Sequence, residues 1–128
     1  MGKLRHIALY TEDIEATASF YQKVFSMERV RQLDYVITLS DGLVSLAIVD
    51  ASKSRNGSRG LDHIGFLVDD MEAAAAKLEA SGSVHCGQIS KTIDQTNTDI
   101  ERKYRAPDGL VFDIVTSEHA RPVWGLQV

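Results

Sequence analysis

The chain repeats itself: Leu4-Arg5-His6-Ile7 returns as Leu61-Asp62-His63-Ile64, 57 positions downstream. The same offset pairs Asp13 with Asp70, Glu15 with Glu72 and Ala16 with Ala73. Towards the end of each half, Asp41-Gly42-Leu43-Val44 returns as Asp108-Gly109-Leu110-Val111, now at an offset of 67. The second half therefore carries ten extra residues, which the polar segment from Gln88 to Asp99 best accommodates. Two copies of one supersecondary unit bury their matching apolar faces together. The expected organisation is one domain over residues 1–128. It has a first module at about 3–51, a linker without large apolar residues at about 52–60, a second module at about 61–116 and a tail at 117–128.

Both halves read alike locally. His6, Ala8 and Tyr10 alternate with Ile7 and Leu9, the period of a strand. Thr11 or Asp13 can cap a following helix whose Ile14, Ala18, Tyr21 and Phe25 form one stripe. Short strands are expected around Arg29–Leu33, Tyr35–Leu39 and Leu43–Val49, the last entered through Ser40-Asp41-Gly42. In the second half His63, Gly65 and Leu67 alternate with Ile64, Phe66 and Val68. A helix begins near Asp69 or Asp70, with Glu72 able to close a capping box from Asp69, and Gly82 ends it. Strands near Val84–Ile89, Ile100–Ala106 and Leu110–Val115 complete a βαβββ order that occurs twice.

Composition narrows the function. A net charge of −4 with scattered basic residues argues against nucleic acid as partner, because phosphate binding needs a concentrated positive face. No apolar run reaches the roughly 18–20 residues that span a bilayer. The single cysteine, Cys86, cannot form an internal disulfide, and no signal peptide is evident, so a cytoplasmic protein is expected.

In its module order, in the helix Phe20-Tyr21-Gln22-Lys23-Val24-Phe25 and in the turn Ala106-Pro107-Asp108-Gly109, the chain resembles the vicinal oxygen chelate superfamily. That superfamily includes glyoxalase I, extradiol dioxygenases, fosfomycin-modifying transferases and bleomycin-resistance proteins. The resemblance covers about residues 3–116. It implies an α+β fold in which two tandem βαβββ modules form a cup-shaped mixed sheet, completed within one chain or by exchange between two. Ser26 departs from the Gly usual after the first helix. The resemblance also implies that the first and last strands of the modules aim inward at a shared centre. His6 and His63 are the repeat-related pair there, and Asp113 stands where the family carries its carboxylate ligand. Strand alternation puts Val111, Asp113 and Val115 on one face. An unpaired carboxylate among valines would cost several kcal/mol, which a bound cation would offset. Singly, each residue has a plainer reading, as a hydrogen-bonded core histidine or an Arg-paired structural acid. Together they are expected to hold a divalent metal.

The offset of 67 maps Asp113 onto Leu46, where glyoxalase I and its close relatives place a further ligand. Leu46 cannot coordinate and is expected to line the site against substrate. Asp50, on the same strand face, lies about 13 Å further along and cannot substitute. Two histidines and one carboxylate leave two or three coordination positions open. This favours Fe(II) or Mn(II), with Zn(II) or Ni(II) as alternatives. The implied function is that of a metal-dependent enzyme acting on a small substrate that chelates the metal through adjacent oxygens, by dioxygenase-like or isomerase- or lyase-like chemistry. Two departures touch the dioxygenase reading. Asp113 replaces a Glu, and Lys103 takes the place of a Tyr, Tyr104 falling one step later on the opposite face. A fosfomycin-type thiol transferase is one alternative, although Ala8 replaces its Thr and only Lys91 and Arg105 offer nearby positive charge. A metal-free drug- or metabolite-binding protein of the bleomycin-resistance kind is the other.

Further candidates are His85, Glu101 and Tyr10 as catalytic residues, His85 because its pKa lies near neutrality and Tyr10 because it shares the face of His6. Arg105, on the face of Glu101, is a candidate substrate-binding residue. His119 is expected at the surface or in a dimer contact, and the tail from Ser117 to Val128, with its Trp124, over an interface or the mouth of the cup. A homodimer is expected.

Overall fold

The computed structural model describes residues 2–54, 59–93 and 96–128, with the backbone alone for 91–99. In chain order the elements are β1 (Lys3–Thr11), α1 (Ile14–Phe25), β2 (Glu28–Leu33), β3 (Val36–Ser40) and β4 (Ser45–Asp50). The second unit follows as β5 (Gly60–Leu67), α2 (Met71–Ala80), β6 (Val84–Ile93), β7 (Thr96–Arg105) and β8 (Val111–Val115), with α3 (Ser117–Trp124) at the end. The βαβββ unit thus occurs twice. Most of the expected linker, residues 55–58, lies outside the described residues.

Local chemistry explains the helix ends. Asp13, with extended backbone, accepts from the amide of Ala16 and starts α1; Asp70 accepts from that of Ala73 and starts α2. Asp69 stands one residue too early for the expected capping box, and Glu72 instead meets Arg102 Nη2 at 2.5 Å. At the end of α1, Ser26 adopts φ 57, the left-handed conformation that glycine takes most cheaply.

All eight strands form one sheet in the order β2-β3-β4-β1-β5-β8-β7-β6. Each module supplies four neighbouring strands, and β1 pairs antiparallel with β5 to join them. The junction therefore lies within one chain. Those of the ten extra residues that are described lengthen β6 and β7 into antiparallel strands of ten residues, where β2 and β3 have six and five. Residues 94–95 lie outside the described residues.

The two faces of the sheet differ. On the outer face α1 covers Ile37, Leu39 and Ile48, and α2 covers Tyr104 and Ile114. On the inner face Leu67 and Val115 pack against Ala120, Trp124 and Leu126, so the tail folds back across the sheet. Ser40 Oγ donates to Gly125 O at 2.8 Å, and Gln127 N donates to Gly42 O at 2.9 Å, anchoring that return.

Candidate metal centre

The pairing register aligns one row of inner-face positions across the middle of the sheet. Ser45 on β4 stands beside His6 on β1, His6 beside Gly65 on β5, Gly65 beside Asp113 on β8, and Asp113 beside Lys103 on β7. His63 lies two residues before Gly65 on the same face. Gly65 is the gap that lets the flanking side chains converge: a Cβ there would lie 2.8 Å from the Cβ of His6 and 2.9 Å from Cη2 of Trp124.

Three donors meet over that gap. The Nε2 of His63 lies 3.0 Å and the Nε2 of His6 3.9 Å from Oδ2 of Asp113. One ligand atom from each residue falls within 4.8 Å of the others. Cis ligands about 2.1 Å from an ion lie some 3–4 Å apart, so the set fits a divalent metal after small side-chain rotations. The far sides of the donors are also held. Nδ1 of His6 is 3.0 Å from Ser45 Oγ, Nδ1 of His63 is 2.6 Å from Asp62 Oδ2, and Lys103 Nζ donates to Asp113 Oδ1 at 2.6 Å. Outer partners of this kind orient a metal's ligands, leaving each Nε2 and Oδ2 facing the centre.

Electrostatics suit the role. Burial pushes the His6 imidazole down to about 3, against the attraction of Asp113 and with repulsion from His63 and Lys103, so it is neutral at neutral pH. A neutral imidazole has the lone pair a metal needs. Burial alone would raise Asp113, but His63 and Lys103 outweigh it and hold the carboxyl below its usual range. Burial would likewise lower His63, yet Asp113 and Asp62 raise it on balance. Asp113 is 1% exposed, and its charge is compensated from two sides.

The other expected site residues divide. Glu101 is buried on the inner face, two residues from Lys103; burial first, and Asp113 second, raise its carboxyl to about 7. Tyr10 follows the His6–Ala8 face, half-buried, towards the end of β1 beside Val49. Arg105 continues the Glu101–Lys103 face, its Nη1 donating to Gly109 O at 3.0 Å across the β7–β8 turn. Two expectations are corrected. Leu46 pairs with Ile7, not His6, and packs against the α1 core on the outer face; Ser45 and Ala47 face inward instead. The two Asp-Gly turns feed their strands one residue out of register, so Ala47 beside Ala8 is the structural counterpart of Asp113 beside Gly65. His85 is exposed and lies beside Tyr104, ring centroids 5.3 Å apart, on the α2 side of the sheet. Alternation of β7 puts Tyr104 and Lys103 on opposite faces, so His85 cannot reach the centre.

Several inner-face residues escape recognition in the sequence. Lys103 registers there only as a mismatch. Gly65, a glycine inside an alternating strand, is a readable signal of close approach. His119 on α3 is buried rather than superficial, and the Trp124 indole, also buried, stacks on the His6 ring with centroids 4.3 Å apart and planes 6° from parallel. The tail supplies one wall of the centre.

Comparison with known proteins agrees with this architecture. A family model described as the Glyoxalase/Bleomycin resistance protein/Dioxygenase superfamily matches residues 3–114. Among solved structures, methylmalonyl-CoA epimerase from Mycobacterium tuberculosis superposes with a TM-score of 0.68 at 14% identity, covering 88% of this chain and 86% of that one. A variant of Streptomyces coelicolor methylmalonyl-CoA epimerase in complex with 2-nitronate-propionyl-CoA gives 0.62 at 20%, covering 90% and 96%. The Mn(II)-bound glyoxalase from Novosphingobium aromaticivorans gives 0.66 at 20%, covering 89% of this chain and 38% of that longer one. No curated protein matches the chain significantly in sequence. With the repeated βαβββ unit, the eight-stranded sheet and the family match across nearly its whole length, this chain belongs to the Glyoxalase/Bleomycin resistance protein/Dioxygenase superfamily.

Proposed function

We propose that this protein is a divalent-metal-dependent enzyme whose small substrate chelates the ion through adjacent oxygens, with isomerase- or lyase-like proton transfer as the favoured chemistry. The observation that carries the reading is the convergence of His6 Nε2, His63 Nε2 and Asp113 Oδ2, each held from behind by a further residue. Bound there, the metal would supply Lewis acidity to a substrate oxygen, and two histidines with one carboxylate suit Mn(II) or Fe(II). Ser45 and Asp62 orient the imidazoles. Lys103 keeps Asp113 ionised and its Oδ2 turned inward. Glu101, raised to about 7, is the group able to take and return a proton near neutral pH. The epimerases and the Mn(II)-bound glyoxalase among the structural neighbours are in accord with this class of reaction. The dioxygenase branch has less support, since Lys103 holds the Tyr position of that branch.

The Lys103–Asp113 ion pair favours one second reading. It compensates the buried acid without an ion, as a metal-free binding protein of the bleomycin-resistance kind would require. Metal content separates the two. Purified chain supplemented with Mn(II), Fe(II) or Zn(II) is expected to hold about one ion per chain by mass spectrometry, and the His6→Ala and Asp113→Ala variants far less. Equal, negligible loading of all three proteins would refute the enzyme reading. All three ligands come from one chain, so a homodimer, which we also propose, is not needed to complete the centre. Among the described residues no helix is long and apolar enough to cross a membrane. Residence in the cytoplasm is part of the same proposal.

A further inference from the structure

The outer face of the second module contains a chamber of about 670 Å³ between α2 and strands β5 and β8. Its walls include Ile64, Phe66, Phe112 and Ile114 from the sheet, and Ala74 and Leu78 from the helix. At the mouth stand Leu61, 80% exposed, and Leu110, 68% exposed. That volume falls within the range of small-molecule sites, about 300–1,000 Å³.

The duplication accounts for the space. At the 57-residue offset α1 carries Thr17, Phe20, Tyr21 and Phe25 where the second module has Ala74, Lys77, Leu78 and Gly82. The helix α2 is also ten residues long against twelve for α1, so it covers its half of the sheet less fully. Charge at the rim is mixed, but among the described residues the two acids are engaged and the lysine is not. Asp62 is engaged by His63, and Asp108 accepts from the Leu110 amide. Lys77, lining the chamber from α2, has no ion-pair partner among the described residues.

We propose that this chamber binds a small amphipathic anion, its acyl or aromatic body between α2 and the Phe66–Phe112 wall and its carboxylate or sulfonate at Lys77. Burial of the apolar body drives binding, and the lysine selects the charged head. The apolar body of the chamber lies across the sheet from Asp113, although His63 and Asp62 reach its rim. Phe112 and Ile114 point to it from the outer side of β8, while Asp113 between them points inward.

The test titrates the full chain with decanoate by calorimetry, and with 8-anilinonaphthalene-1-sulfonate and its uncharged counterpart N-phenyl-1-naphthylamine by fluorescence. Saturable binding at one site per chain is expected. Lys77→Glu, an exposed substitution, should weaken decanoate and the sulfonate about threefold or more while leaving the naphthylamine unchanged. Ala74→Leu should weaken all three at an unaltered melting temperature, and Mn(II) should change none of them. Three results would overturn the proposal: absence of saturable binding, insensitivity of the anionic probes to Lys77→Glu, or displacement of the probes by Mn(II). A fourth would reassign the chamber to a subunit interface: probe binding lost as the chain dimerises at higher concentration and restored by Leu110→Lys.

Discussion

Replacing Gly65 by alanine tests the row of residues on which the metal centre depends. The added methyl would sit 2.8 Å from His6 Cβ, 3.0 Å from His6 Cδ2 and 2.9 Å from Trp124 Cη2. Carbon atoms in good contact stand about 3.5–4.0 Å apart, so the overlap approaches 1 Å on both sides. The nearest neighbour is a Cβ fixed to the β1 backbone, which cannot swing aside as a chain end can. Overpacking typically costs about 1–3 kcal/mol, and this geometry places the change at the upper end, about 3 kcal/mol. Against a usual total of about 5–15 kcal/mol the variant still folds, but its melting temperature should fall by about 10 °C. Relief requires β1 to move away from β5, carrying His6 Nε2 from Asp113, so metal affinity should drop as well. Gly87, at the far end of the same row, supplies the control. Its added methyl would meet Lys103 at no less than 3.6 Å, an ordinary contact, and Gly87→Ala should cost under about 1 kcal/mol. Trp124→Ala deletes a buried side chain and is costly alone, but combined with Gly65→Ala it should cost less than the sum of the two, since it removes one neighbour and leaves the His6 clash. Thermal melts by circular dichroism and a metal titration measure the parent, the three single variants and the double variant. A Gly65→Ala protein that melts within about 2 °C of the parent and binds metal equally well would refute this account of the site.

Further outcomes follow from the same geometry. Trp124 is the chain's single tryptophan and stacks on His6, so Mn(II) or Ni(II) should quench its fluorescence in the parent and leave it unchanged in His6→Ala. The same quenching in both would remove His6 from the ligand set. Burial holds the folded His6 at about 3, whereas an unfolded chain would protonate it near 6.5, so between these values the unfolded state binds more protons. Stability from His6 is therefore whole above pH 6.5 and declines as pH falls, by at most about 1.4 kcal/mol per unit, while His63, raised on folding, works in the opposite sense. Urea midpoints should drop between about pH 6.5 and 4.5 and do so less in His6→Gln; parallel curves would contradict the assignment. Ser26→Gly, relieving a left-handed serine, should stabilise the chain by about 1 kcal/mol in the same melts, and a loss of stability would show that Ser26 is not strained.

Much of this protein was determined by local pattern. Repeated tetrapeptides, period-2 alternation and Asp caps are short-range signals, and they located both modules, the strands carrying His6, His63 and Asp113, and the helices between them. Those signals are enough to mark the superfamily to which the chain belongs. Tertiary structure decided what depends on register and on distant packing. Counting from the Asp-Gly turns placed Leu46 opposite Asp113, but β4 runs one residue out of step, and a single-residue slip reverses which face a side chain meets. His85 looked reactive by residue type, yet its place beside Tyr104 puts it behind the sheet. Nothing local marks Trp124 or His119 as inner-face residues, because their burial depends on a tail crossing strands that lie far earlier in the chain, from Leu67 on β5 back to His6 on β1. The same holds for Lys103, whose pairing with Asp113 is a cross-strand event between β7 and β8. Periodicity states which residues can share a face; only the assembled sheet states which of them meet.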